Sequence, residues 1–298
     1  LTVGSLFAGI GGFDLGFERA GFKVKWQVEI DPFCRAELVR RWPDVKRYED
    51  VQEVHGEGQG YWYVCGESGH CADCLERVDV IVGGFPCQDI SHAGAGAGLA
   101  GARSGLWREF ARIISALRPR YVVVENVAAL LERGMGTVLG DLADLGYDAV
   151  WDCVRASDFG ADHERNRLFI VAFSQSSGRP VVLRRDGREC VTSHPAWEAS
   201  ASLDSPVDRA KRIESWLCEP AILGGLDGLS SKLVERALGA YGNSVMPQIA
   251  EWIARRILEA ETAADEAVTH PARFTPVAEG EVWGSATEDL SLSSTVIR

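Results

Sequence analysis

An apolar run, Leu1–Phe7, breaks into three glycines within four positions, Gly9, Gly11 and Gly12. Behind them Phe13, Leu15, Phe17 and Ala20 recur at helical spacing until Gly21. Few folds accept that order. A run this short and apolar suits a buried strand. The glycines let the backbone turn and approach a ligand with no Cβ in the way. The helix-spaced segment can then pack back on the sheet. Lys23–Val28 alternates as a second strand, and Glu29-Ile30-Asp31-Pro32 opens the next helix with Pro in its first turn. Val78–Val82 and Tyr121–Val124 are β-branched runs on either side of Leu106–Leu117, which has helical spacing and halts before Pro119. Leu168–Phe173 reads as a further strand. Strands alternating with helices predict an α/β sheet, with ligands at the carboxyl edge of its strands.

Composition narrows the class. With 298 residues, 46% hydrophobic and 25% charged, the chain is an ordinary globular protein rather than a disordered, collagen-like or coiled-coil one. No apolar run reaches the length of a membrane span, and no charged-then-apolar leader opens the sequence. Because the first residue is Leu1 rather than Met, residues before it are expected. Eight cysteines at uneven spacing do not read as a secreted disulfide framework, so a reducing cytoplasm, bacterial or phage-infected, is the expected setting.

The net charge of −12 argues at first against a nucleic-acid partner, but it is unevenly spread. Residues 48–79 carry eight acidic side chains against Arg77, and residues 259–298 carry eight against Arg273 and Arg298. Residues 165–188, by contrast, hold six arginines and only Asp186. Residues 174–229 are rich in Ser, Arg, Gly and Asp without a clear period, and read as a small irregular domain. A helix returns over Val245–Leu258, with Pro247 in its first turn. Residues 261–298 read as a loose acidic tail. The larger domain is therefore expected to be 1–173 plus 230–260.

Two segments carry chemistry. The glycine cluster, with Glu29 at the end of the following strand to grip a ribose, points to a nucleotide-like cofactor. Its spacing departs from the dinucleotide fingerprint and favours S-adenosylmethionine. In Val80-Ile81-Val82-Gly83-Gly84-Phe85-Pro86-Cys87-Gln88, a strand runs into a glycine pair and presents Cys87 just past its end, where a nucleophile belongs. The stretch Ala93–Gly101, with little bulk and many hinges, suits a loop that closes over substrate.

Six stretches in order resemble the motifs of the cytosine-C5 DNA methyltransferase family. They are Phe7-Ala8-Gly9-Ile10-Gly11-Gly12, Gly84-Phe85-Pro86-Cys87-Gln88, Arg103-Ser104-Gly105-Leu106-Trp107, Glu125-Asn126-Val127, His163-Glu164-Arg165-Asn166-Arg167 and Tyr241-Gly242-Asn243-Ser244-Val245. His163 stands where the family has Gln, and Asp162 where Pro is common. The resemblance implies a Rossmann-like methyltransferase sheet with a small target-recognition domain at 174–229, acting on duplex DNA as a monomer. A restriction endonuclease would be its partner in the same system.

The resemblance also implies roles. Cys87 would add to C6 of a flipped-out cytosine, because a thiolate there turns C5 into a carbanion able to accept a methyl group. Glu125 would hydrogen-bond N3 and the exocyclic amine, while Arg165 and Arg167 supply positive charge and hold the base. Phe7, Gly9, Gly11, Gly12 and Pro86 would surround the methionine part of S-adenosylmethionine. Glu29 would take the ribose hydroxyls, Ile30 would pack on the adenine, and Asp50 would accept from its amine. Asn243 and Ser244 would close the far end. The alternatives are a related tRNA enzyme and a catalytically inactive DNA-binding homologue. Intact Cys87, Glu125 and Arg167 count against the second.

Two weaker constellations remain. Cys65, Cys71 and Cys74, with His70 or His55 as a fourth ligand, suit a zinc knuckle in an insertion at 55–77, against a reading as unliganded surface thiols. Arg179, Arg184, Arg185 and Arg188 suit phosphate or guanine contacts, against a solvated loop.

Overall fold

The computed structural model describes residues 1–56, 74–86, 105–161, 164–183, 240 and 242–269. Its frame is a seven-stranded sheet. In chain order the first elements are β1 (Thr2–Leu6), α1 (Gly12–Arg19), β2 (Lys23–Val28), α2 (Pro32–Arg41), β3 (Lys46–Tyr48), β4 (His55–Gly56), β5 (Cys74–Leu75) and β6 (Val80–Gly83). There follow α3 (Leu106–Leu117), β7 (Tyr121–Val127), α4 (Leu130–Arg133), α5 (Met135–Asp144), β8 (Tyr147–Arg155), a 3-10 turn (Ala156–Phe159), β9 (Asn166–Ser174) and α6 (Pro247–Thr269). The sheet order is β3-β2-β1-β6-β7-β9-β8. Pairing is parallel from β3 to β7, and β9 runs antiparallel to both β7 and β8. The order steps away in opposite directions on either side of β1 and β6. That switch point opens a crevice at the carboxyl edge of the sheet.

Side-chain alternation divides the core into two layers. Ile81, Val122, Val124, Leu168 and Ile170 face α3 and α5, where Phe110, Ile113, Ile114, Val138 and Leu142 pack. Val80, Val82, Val123, Phe169 and Val171 face the other way, onto Phe13 and Phe17 of α1 and Ile249, Trp252, Ile253 and Ile257 of α6. Both faces of each central strand are therefore buried, which is why these strands read as continuous apolar runs rather than alternating ones. Close approach is built in at α1, where a Cβ on Gly16 would lie 2.4 Å from the Pro247 carbonyl oxygen.

Three features of the fold differ from the sequence reading or add to it. The last helix does not stop at 258 or 260 but continues to Thr269. Its Glu261 accepts hydrogen bonds from Arg120 and from the Tyr121 hydroxyl, which ties the start of the expected tail to β7. Residues 174–183, expected to open the small irregular domain, include positions built into the main sheet and its core. Ser174 completes β9, and Val181 and Leu183 are buried in the α1–α6 layer. Finally, β8 is a full edge strand of the main sheet. Its Asp148, Trp151, Asp152 and Cys153 are only half-buried, so it lacks the apolar run that marks its neighbours.

Candidate active site

The carboxyl ends of β1, β2, β6 and β7 meet at a cleft of about 370 Å³. Phe7, Gly9, Glu29 and Ile30 line it from the first two strands, and Gly84, Phe85, Pro86, Glu125 and Asn126 from the next two. Arg165, Arg167, Asn243 and Ser244 complete it. Segments from both ends of the chain thus share one cavity.

The β1–α1 turn is shaped by backbone conformation. Phe7, Gly9 and Gly11 have φ of 53°, 58° and 88°, and this left-handed region penalises any residue with a Cβ. Phe7 accepts that strain at the cleft wall, with its ring packed 6.3 Å from Phe110. Gly11 and Gly12 do not line the cleft; they serve packing. A Cβ on Gly11 would lie 2.3 Å from the Trp42 ring, and one on Gly12 would lie 2.1 Å from the Val245 carbonyl oxygen.

Glu29 is fixed by two backbone donors. Gly9 N–H donates to Oε2 at 2.7 Å, and Asp31 N–H donates to Oε1 at 2.8 Å. Burial pushes its carboxyl above the ordinary range, against the pull of those two bonds. Ile30 beside it is 66% exposed, a bare apolar surface at the cleft. Arg35 clips this corner from below, donating to the carbonyls of Glu29 at 3.0 Å and Ile30 at 2.7 Å. Asp50 lies beyond β3, where it accepts from Gln52 N–H at 2.9 Å; it is not a lining residue.

The other half of the cleft is organised around Glu125. Its side chain is almost wholly buried at the end of β7, with Arg167 Nε 3.1 Å from Oε1. Burial raises its proton affinity, and Arg167 and then Arg165 oppose that rise. A Cβ on Gly84 would approach Oε2 to 2.7 Å, so the glycine makes room for the carboxylate. Asn126 Nδ2 donates to the Phe85 carbonyl at 3.2 Å and thereby ties β7 to the segment that leads to Cys87. Cys87 itself lies outside the described residues, directly after Pro86 in the chain.

Several cleft residues escaped the sequence reading. Asp31 caps α2 by accepting from Phe33 and Cys34 N–H at 2.8 and 3.0 Å, which the Asp-Pro pair could have announced. Cys34 lines the cleft with its thiol pushed up to about 12, by burial first and then by Glu29 and Asp31, so it stays protonated. Asn126 in the cleft and Arg35 outside it donate to backbone oxygens, and nothing in their spacing signals that.

Residues 1–199 match the family model for C-5 cytosine-specific DNA methylases. The chain belongs to that family. It is 31% identical over 212 residues to the Type II methyltransferase M2.BsuMI of Bacillus subtilis, covering 65% of this chain and 49% of that protein. To the Type II methyltransferase M.NgoPII of Neisseria gonorrhoeae it is 33% identical over 178 residues, covering 58% and 48%. The chain thus spans about half the length of the curated relatives it matches. The Entamoeba histolytica methyltransferase EhMeth shares the fold, with a TM-score of 0.57 at 13% identity over 87% of this chain and 98% of that one.

The remaining expected sites divide by position. Arg179 is exposed, and its backbone N–H donates to the Tyr121 hydroxyl at 2.9 Å. Arg184, Arg185 and Arg188 lie outside the described residues, as do Cys65, Cys71 and His70. Cys74 is buried on β5 in register with His55 of β4. Among the described residues no group of three or more His, Cys, Asp or Glu side chains could hold a metal. Among them, too, no helix is long and apolar enough to cross a membrane.

Proposed function

We propose that the chain transfers a methyl group from S-adenosylmethionine to C5 of a flipped-out cytosine in duplex DNA, through a covalent bond between Cys87 and C6. The observation that carries this reading is a single cleft that joins the Gly9–Glu29 corner to the buried Glu125–Arg167 pair. The donor set suits the cofactor. Glu29 keeps lone pairs beyond its two backbone bonds for a ribose diol, and exposed Ile30 offers a face for the adenine. Phe7, Gly9 and Pro86 would surround the methionine part, with Asn243 and Ser244 at the far end. When bound, the cofactor supplies an electrophilic methyl on a sulfonium.

The chain's own residues would do the rest. Cys87 thiolate forms the bond to C6, and the electron pair displaced to C5 takes up the methyl. Glu125, whose raised proton affinity favours the acid, donates to N3 and offsets the charge of addition. Arg167 holds Glu125 in place and faces the base. Loss of the C5 proton to solvent then breaks the C6–S bond and releases Cys87. Flipping the base costs a few kcal/mol of stacking, which pocket contacts recover.

The names of the relatives favour a role in restriction-modification with a partner endonuclease, and the cysteine usage favours a reducing cytoplasm. Phosphate contacts would come from Arg179, Arg184, Arg185 and Arg188, and Asp50 would reach the adenine amine once the cofactor is bound. For the 55–77 insertion, metal analysis of purified protein decides: one zinc per chain supports the Cys65, Cys71, Cys74 and His70 set, and none removes it. Transfer of tritiated methyl from S-adenosylmethionine to unmethylated duplex DNA, against tRNA, tests the main reading. Label in tRNA alone would make it an RNA enzyme, and label in neither would leave a binding homologue.

A further inference from the structure

Arg165, just before β9, and Arg167, within it, both bear on the charge of Glu125, Arg167 the more, yet their hydrogen bonds and close ion pair go to different places. Arg167 faces Glu125. Arg165 reaches the segment ahead of α6 instead. Its Nη2 donates to the Ser244 carbonyl at 2.9 Å, and its Nη1 donates to the Gly242 carbonyl. Those two carbonyls bracket Asn243, and both Asn243 and Ser244 line the cleft. The same segment is held from α1, because Gly12 lets Val245 and Ser244 approach to distances no Cβ would allow. A guanidinium is a rigid fork of donors, well matched to two carbonyls of one short stretch. Lysine has no such fork.

We propose that Arg165 is a positioning residue for the cofactor: it pins the backbone of residues 242–244 so that Asn243 and Ser244 form the cofactor wall, while Arg167 serves the base through Glu125. The proposal rests on the methyltransferase reading of the cleft. It divides a pair of arginines that the sequence treats as one motif, giving one to each half of the site. It also makes the junction between 164–167 and 242–245 a place where β9 is fastened to the segment ahead of α6.

Calorimetry with S-adenosylhomocysteine and steady-state methyl transfer to unmethylated bacterial genomic DNA separate the roles, using the full chain. For Arg165→Ala, Kd for S-adenosylhomocysteine and KM for S-adenosylmethionine should rise about tenfold, the worth of charge-assisted hydrogen bonds, with a smaller loss in kcat. Arg167→Ala should do the opposite, lowering kcat with cofactor Kd within about twofold of wild type. Arg165→Lys should recover part of the cofactor affinity, since an ammonium can still donate to a carbonyl. It carries the same readouts if Arg165→Ala does not fold. Loss of kcat at unchanged cofactor Kd in the Arg165 variants would place this arginine on the base and overturn the proposal. Wild-type protein that binds no cofactor would be a failure of the methyltransferase reading itself, and would take the proposal with it.

Discussion

The two halves of the cleft are built by different means. Around Gly9, Glu29 and Asp31, the carboxylates accept from backbone N–H groups close by, Asp31 caps its own helix, and Arg35 donates to the carbonyls of Glu29 and Ile30. Around Glu125, the contacts run from side chains to distant parts of the chain: Arg167 on β9 to the carboxylate, Asn126 to the Phe85 carbonyl, with Gly84 yielding space. The first half is a shaped backbone surface, suited to a ligand that must bind and leave unchanged in position. The second holds a buried acid against a cation, suited to moving a proton. Damage to the first should therefore appear as lost affinity, and damage to the second as lost rate.

The largest effect should come from the half that holds Glu125 and leads into Cys87. Cys87→Ser should abolish methyl transfer, by more than about 1,000-fold, because a serine hydroxyl is far less acidic and a poorer nucleophile toward C6. Binding of S-adenosylhomocysteine, measured in the same preparation, should stay near wild type. Full activity in that variant would end the covalent mechanism. Glu125→Gln should lower kcat by about 100-fold or more, the usual worth of a positioned acid. In the wild type, the group must be protonated to donate, so kcat should fall as pH rises through the raised pKa of Glu125. That descending limb should be missing in the glutamine variant, and its survival there would assign the proton to another group.

The same division explains what could be read in the sequence. The central strands, α1, α3 and a site at the carboxyl edge of the sheet were legible because buried strands and amphipathic helices write their burial into local pattern. Glu29 and Glu125, which both line the cleft, stood out because each lies at or just past the end of an apolar strand run within an ordered set of motifs. The fork from Arg165 to Gly242 and Ser244 was not, since a backbone carbonyl leaves no mark on residue type. Neither was the continuation of α6 to Thr269. An acidic, alanine-rich stretch reads as a tail until Glu261 finds Arg120 and Tyr121, partners on a strand far away in the chain. The small extent of β8's apolar surface hid it for a related reason: an edge strand needs to bury only part of each face.

Beneath the Gly9–Glu29 half lies a second buried carboxyl, which among the described residues has no arginine paired to it as Glu125 has. Asp14 on α1 is fully buried and accepts from Gln27 Nε2 at 3.0 Å, while its Oδ2 has no hydrogen-bond partner among the described residues. Burial pushes its carboxyl from 3.8 up to about 6. The folded protein therefore holds this proton more tightly than the unfolded chain. Its contribution is fully present below pH 4 and is lost as pH rises toward and through 6, by about 3 kcal/mol in all. Asp14→Asn should remove that slope. Urea unfolding of both proteins at pH 4.5 and 7.5 should show the variant gaining on the wild type at the higher pH. A constant difference between the two pH values would mean that Asp14 is not protonated in the folded state.

The smallest and most selective effect should come from Glu29→Gln. Both oxygens of Glu29 now accept from backbone N–H groups and can also accept from a ribose diol. An amide keeps the shape but turns one acceptor into a donor, which then faces either Gly9 N–H or Asp31 N–H. That opposition of donors should open the corner and cost about tenfold in cofactor affinity, the scale of one hydrogen bond to a charged group lost. Because Glu125, Arg167 and Cys87 belong to the other half, kcat at saturating cofactor should change by less than that. The raised pKa of Glu29 gives a second check: cofactor Kd in the wild type should rise as pH falls through it, since the protonated acid accepts less well. The glutamine variant should lack this dependence. A variant that instead loses kcat with Kd unchanged would show that the two halves of the cleft are one catalytic unit, and that backbone-built and side-chain-built surfaces do not divide binding from chemistry here.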